Sequence, residues 1–154
     1  MNEAVQAGCI AVAALNLLPG VTGLAAVCFR DTSGPLARSF WVLLRVGQGS
    51  SLALAIAVGS LAVAGHYSDE KLFYLYALLP LAIAFVAEQL RATSAEALLD
   101  QRGLESSEAV GALPEAEQHE LVAAILRREC GVMAVSALVV VFLALRAAGT
   151  AHGF

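Results

Sequence analysis

Four long runs of this chain carry almost no charge: Ala4–Phe29, Phe40–Gly65, Leu72–Leu90, and Gly131–Leu145 with its flanks. A bilayer core about 30 Å thick is crossed by roughly 20 apolar residues in a helix. Runs of that length and purity limit the fold more than any other feature. A helix lying on a soluble core would show one apolar stripe and a polar back, whereas these runs are apolar all round. Composition points the same way, with 59% hydrophobic and 14% charged residues, against about 25% charged in a typical soluble domain. The mean hydropathy is +0.76. The expected fold class is all-α, an integral membrane four-helix bundle forming a single transmembrane domain over 1–154. Spans are expected near 4–29, 40–65, 71–90 and 130–147, with the third and fourth helices extended into a water-exposed antiparallel helical hairpin over about 91–129.

The first run is not patterned as a cleavable signal. Met1-Asn2-Glu3 carries no basic residue and the apolar run is 26 residues long. Signal cores are about 7–15 residues and follow Lys or Arg. A retained helix is expected. Within it, Asn16 is polar at mid-span and Pro19 removes a backbone donor, so a local bend is expected there.

The connection Arg30–Arg38 is short and turn-rich, which makes the first two helices antiparallel neighbours. Phe40 and Trp41 stand where an aromatic interface anchor belongs. Small residues then recur at every fourth position, Gly47, Ser51, Ala55 and Gly59, beside a second row of Gly49, Ala53 and Ala57. Such rows let backbones approach closely, so the second helix is expected to be the most tightly packed. Ser68 or Asp69 is expected to cap the third helix, and Tyr67, Phe73, Tyr74 and Tyr76 to form a second aromatic belt. Pro80 is expected to kink that helix. Gly103 suits a left-handed stop, a short helix begins at Ser106 or Ser107, and Pro114 fits the first position of the last helix. Cys9, Cys28 and Cys130 lack paired spacing and read as small buried residues.

Basic residues near the spans set orientation. Arg30, Arg38, Arg91, Arg102, Arg127 and Arg128 fall on one side, Lys71 and Arg146 on the other. Both termini are therefore expected outside and the hairpin in the cytoplasm. In that topology Arg45, about five residues into its span, and Glu88, near the end of its own, lie at similar depth. Gln48, Gln89 and Glu129 are at neighbouring levels. The intramembrane polar cluster is thus Arg45, Gln48, Glu88, Gln89 and Asn16, with Arg45 and Glu88 expected to form a buried ion pair that clasps two helices.

No catalytic constellation, nucleotide-binding signature or metal spacing is present, and no cofactor is expected. The net charge of −4 arises mostly from residues 96–129, and no basic stripe suggests nucleic acid. The expected function is that of a non-catalytic small subunit or scaffold, with the lipid bilayer, a homo-oligomer or larger membrane complex, and a cytoplasmic protein at the hairpin as partners. The alternative is an oligomeric carrier or channel component with a polar path at Arg45, Gln48 and Glu88. The Arg/Gln start of the second span, its Gly/Ala-rich body and the aromatic loop after it resemble half of a haem protein of the heme A synthase type. That family holds haem with span histidines, and here His66, His119 and His152 lie outside the spans. A haem or quinone protein is accordingly the remote alternative. Eight arginines against one lysine, with abundant alanine, suggest a GC-rich bacterial genome. Over nearly its full length the layout resembles small four-span membrane proteins of actinobacteria. That resemblance implies a bacterial inner-membrane location and no particular functional residue.

Overall fold

The computed structural model describes residues 2–104 and 107–153. About 85% of the described residues are helical and none of them forms a strand. The elements are α1 (Asn2–Cys28), α2 (Pro35–Val63), α3 (Lys71–Gln101), the short α4 (Ser107–Gly111) and α5 (Glu115–Thr150). Four of them, α1, α2, α3 and α5, are long and apolar enough to cross a membrane.

The bundle runs α2–α1–α5–α3, with α1 against α5 as its most extensive contact and only a light contact between α2 and α3. In their most apolar windows α5 and α1 bury 44% and 39% of residues, against 28% for α2. The close-packed pair is therefore α1 with α5, not α2 with a partner. The reason lies in which faces the small residues occupy. Gly47, Ser51 and Ala55 are buried, but Gly49, Ala53, Ala57 and Gly59 are exposed. Gly20, Gly23, Ala134, Ala137, Ala144 and Ala147 are buried on α1 and α5. A Cβ on Gly23 would lie 2.7 Å from the Ala134 Cβ, which shows how near the two backbones come.

Two apolar clusters fill the interior. One, near the chain termini, gathers Val5, Cys9, Leu54, Val58, Phe73, Ala77 and Val140. The other holds Phe40, Leu44, Ala87, Cys130, Met133 and Ala134. Phe40 and Phe73 are both 0% exposed, so the phenylalanine of each expected aromatic belt turns inward. Trp41, Tyr67, Tyr74 and Tyr76 keep some exposure. Cys9 and Cys130 are buried, whereas Cys28 is exposed at the end of α1. Pro19 and Pro80 are both enclosed within continuous helices.

Helices α1, α2 and α3 stop in the same way. At each, the second residue past the helix bonds back three residues and the third bonds back five. The pivot is Gly65 (φ 84°) after α2 and Gly103 (φ 67°) after α3, as expected of a left-handed stop, but Arg30 (φ 57°) after α1. A side chain at such a position normally carries a steric cost that glycine escapes. Pro35 starts α2, five residues ahead of the expected span, because its fixed φ suits a first helical position. Asp31 supports that start, its carboxylate accepting from the Leu36 N–H at 3.3 Å. Glu70 stands at the cap position of α3 without a side-chain bond. Ser68, expected as a cap, instead donates to the His152 carbonyl at 2.9 Å and ties this loop to the end of α5. Pro114 precedes α5 rather than opening it, leaving Glu115 and Glu117 in the first turn. The short α4 begins at Ser107, and Ser106 lies outside the described residues.

Candidate functional site

Glu88 receives three side chains. Arg45 donates to its Oε1 at 2.6 Å, Gln48 to the same oxygen at 3.3 Å, and Arg91 to its Oε2 at 2.8 Å. Arg45 also donates to Gln48 Oε1 at 2.6 Å. Helix spacing explains the convergence. Arg45 and Gln48 are three apart on α2, as are Glu88 and Arg91 on α3, so each pair shares a face. The network reaches α5 through Arg91 and Glu129 at 3.8 Å, and the Arg91 guanidinium stands 5.5 Å from the Trp41 ring centre. One carboxylate thus gathers charge and hydrogen bonds from α2 and α3, whose contact is otherwise light.

The pair is not enclosed. The Arg45 side chain is 56% exposed and that of Glu88 27%. The expected buried pair lies instead on the outer side of the α2–α3 seam, because α2 leans on α1 and α3 on α5. Gln89 is exposed and its side chain takes no part. One residue along a helix is a turn of about 100°, which carries Gln89 off the face that Glu88 occupies. Two members of the network lie outside the expected cluster: Arg91, and Glu129, which the sequence places only at a neighbouring level. The i,i+3 relation of Arg91 to Glu88 is the sequence signal that identifies the first. Glu129 requires the α3–α5 packing.

Asn16 belongs to a second set one level deeper. It is 2% exposed, donates to the Val12 carbonyl at 2.9 Å and to the Gly47 carbonyl at 3.2 Å, and lies 3.5 Å from the Ser51 hydroxyl. A Cβ on Gly47 would sit 2.7 Å from Asn16 Oδ1 and 3.3 Å from the Leu15 carbonyl. Pro19, lacking an N–H, leaves that carbonyl without its helical donor, so glycine is needed where α2 crosses it. Asn16, Gln48, Ser51 and Ser136 border a gap of about 10 Å³ at the centre of the bundle, room for about one water. Asn16→Ala is expected to lower stability by about 0.6–1.7 kcal/mol, the range for interhelical hydrogen bonds in membranes. Reversible unfolding in mixed micelles measures it.

No group of His, Cys, Asp and Glu side chains suited to a metal occurs among the described residues. His66, His119 and His152 are exposed. The arrangement of Glu88, two arginines and a glutamine is a saturated ionic tie, with its acceptors already engaged. No family model, curated protein or solved structure matches the chain.

Proposed function

We propose that the chain is a non-catalytic multi-pass protein of a bacterial inner membrane, with both termini outside, that offers the cytoplasmic ends of α3 and α5 as a docking hairpin for a protein partner. The observation that carries this reading is the length of those two helices. At 1.5 Å per residue, α3 and α5 reach about 47 and 54 Å, well beyond a core of about 30 Å. Their surplus, near residues 91–101 and 115–129, lies at the end opposite the chain termini. Arg91–Glu129 and Arg102–Glu120 link the two helices there. Glu96, Asp100, Glu115 and Glu117 are exposed on it, so the surface suits a partner with a basic face.

Membrane insertion is supported by the outer surface of the rest. Ile56, Phe85 and Phe142 are 61%, 66% and 64% exposed, together with many other large apolar side chains. Soluble monomers rarely carry contiguous apolar surface on that scale. The arginine bias supports the orientation. The carrier reading needs a polar path, and the central polar groups enclose space for about one water, which favours fixed packing.

Affinity capture in mild detergent, comparing the wild type with Glu96→Lys/Glu115→Lys/Glu117→Lys, tests the proposal. The expected result is one stoichiometric protein partner that rebinds in purified form and is lost with the variant, while the variant's melting temperature stays within a few degrees. Equal recovery by both forms overturns it. So does a pure homo-oligomer that passes ions in liposomes, which establishes the carrier instead.

A further inference from the structure

A second polar site lies on the same side of the bundle, apart from the Glu88 network. Arg30, Thr32, Arg127 and Arg128 line an open cleft of about 370 Å³ between the α1–α2 loop and α5, with Ala124 as a small wall residue and Glu120 at the rim. Glu120 pairs with Arg102 at 3.9 Å. By contrast, Arg30, Arg127 and Arg128 make no ion pair or side-chain hydrogen bond among the described residues. Thr32 is only 7% exposed, but its hydroxyl makes no bond among the described residues and keeps contact with the cleft, since no fully buried side-chain polar atom there lacks a partner.

Arg30 adds a separate argument. It occupies the left-handed position that α2 and α3 give to Gly65 and Gly103, in the same hydrogen-bonded stop. An arginine there is worse for the backbone than the glycine used twice elsewhere in the chain. Its guanidinium lines the cleft with two others that have no carboxylate partner among the described residues, whereas Arg45, Arg91 and Arg102 are paired. Strain retained at one position is most simply explained by what the side chain does.

We infer that this cleft binds a phosphate group, held by the Arg30, Arg127 and Arg128 guanidiniums and the Thr32 hydroxyl. Guanidinium groups match phosphate oxygens in geometry as well as charge, and a hydroxyl can donate to the same oxygens. The cleft sits where the apolar run of α1 ends and that of α5 begins, and Phe29, next to Arg30 in the chain, is 77% exposed. That is headgroup depth for a bilayer-embedded bundle. The phosphate therefore comes either from an anionic lipid or from a free phosphate at the membrane surface.

The full chain in phosphatidylcholine nanodiscs separates these sources. One arm titrates phosphatidylglycerol and the other inorganic phosphate, with melting temperature read in each. A saturable rise with the lipid alone places a headgroup in the cleft, and a rise with inorganic phosphate places a soluble ligand there. Either supports the inference if it weakens about fivefold for each arginine removed, the effect of one basic residue at an anionic surface. Arg30→Gly is the decisive variant, since it deletes a guanidinium while relieving the backbone. It should melt at or above the wild-type temperature without ligand and yet bind more weakly. Thr32→Val should weaken binding with the charge unchanged. No saturable response of the wild type in either arm overturns the site. An undiminished response in Arg30→Gly together with Arg127→Gln/Arg128→Gln overturns it equally, as that result would mean general attraction to the surface.

Discussion

Phe40→Ala is expected to lower the stability of the bundle by about 2–3 kcal/mol. The side chain is 0% exposed and packs with Leu44, Ala87, Met133 and Ala134. Phe→Ala in a soluble core costs about 3–5 kcal/mol, part from transfer out of water and part from the cavity left behind. Lipid tails are as apolar as the protein interior, so in a bilayer the transfer part shrinks and the cavity part remains. Gly23 meets the same ring from α1. A Cβ there would come within 2.6 Å of Phe40 Cε2 and 2.7 Å of the Ala134 Cβ. The ring can tilt, but a Cβ follows its backbone, so Gly23→Ala must push α1 and α5 apart at about 1–3 kcal/mol. Gly23→Ala combined with Phe40→Leu should cost less than the two changes added, because the smaller side chain yields space. Denaturant unfolding of the reconstituted protein measures all three. A loss below about 0.5 kcal/mol for Phe40→Ala, within the range of ordinary surface changes, would mean that Phe40 is an interface anchor after all.

Glu88→Leu is expected to cost about 1.5–3 kcal/mol, the range for hydrogen bonds to charged groups, since it removes the acceptor for Arg45, Gln48 and Arg91 together. Glu88→Gln should cost less, because its carbonyl can still accept from Arg45. The informative comparison is the double change. Glu88→Leu leaves Arg45 without a carboxylate and Arg45→Leu takes from Glu88 one of its two arginines, so Arg45→Leu/Glu88→Leu should be milder than the sum of the singles. Simple additivity would show that the 2.6 Å contact does not hold α2 to α3. The exposure of Arg45 predicts a further feature, which is that the coupling weakens as salt is raised around detergent-solubilised protein.

The Glu88 network also marks how far residue types alone lead. Arg45, Gln48 and Glu88 stood out because ionisable and amide groups are costly in apolar runs and must find partners at their own depth. Depth follows from counting along each helix. Which side of the seam the pair occupies does not follow from counting, because it depends on how α2 and α3 lean on their other neighbours. The same limit explains Gln89, adjacent to Glu88 in the chain and pointed elsewhere. It explains Glu129, whose contact with Arg91 appears only when α3 is set against α5.

By itself the sequence determined the number of long helices, their approximate ends and the polar residues that need partners. Those properties are local: apolar length, and glycine at a left-handed stop. Only the tertiary structure decided that Phe40 and Phe73 turn inward, that α1 and α5 form the close pair, and that Arg30 gathers with Arg127 and Arg128. In runs that are apolar all round, no polar back marks the outer face. The inward face is chosen by fit between small residues on different helices, and that fit is a property of the assembled bundle.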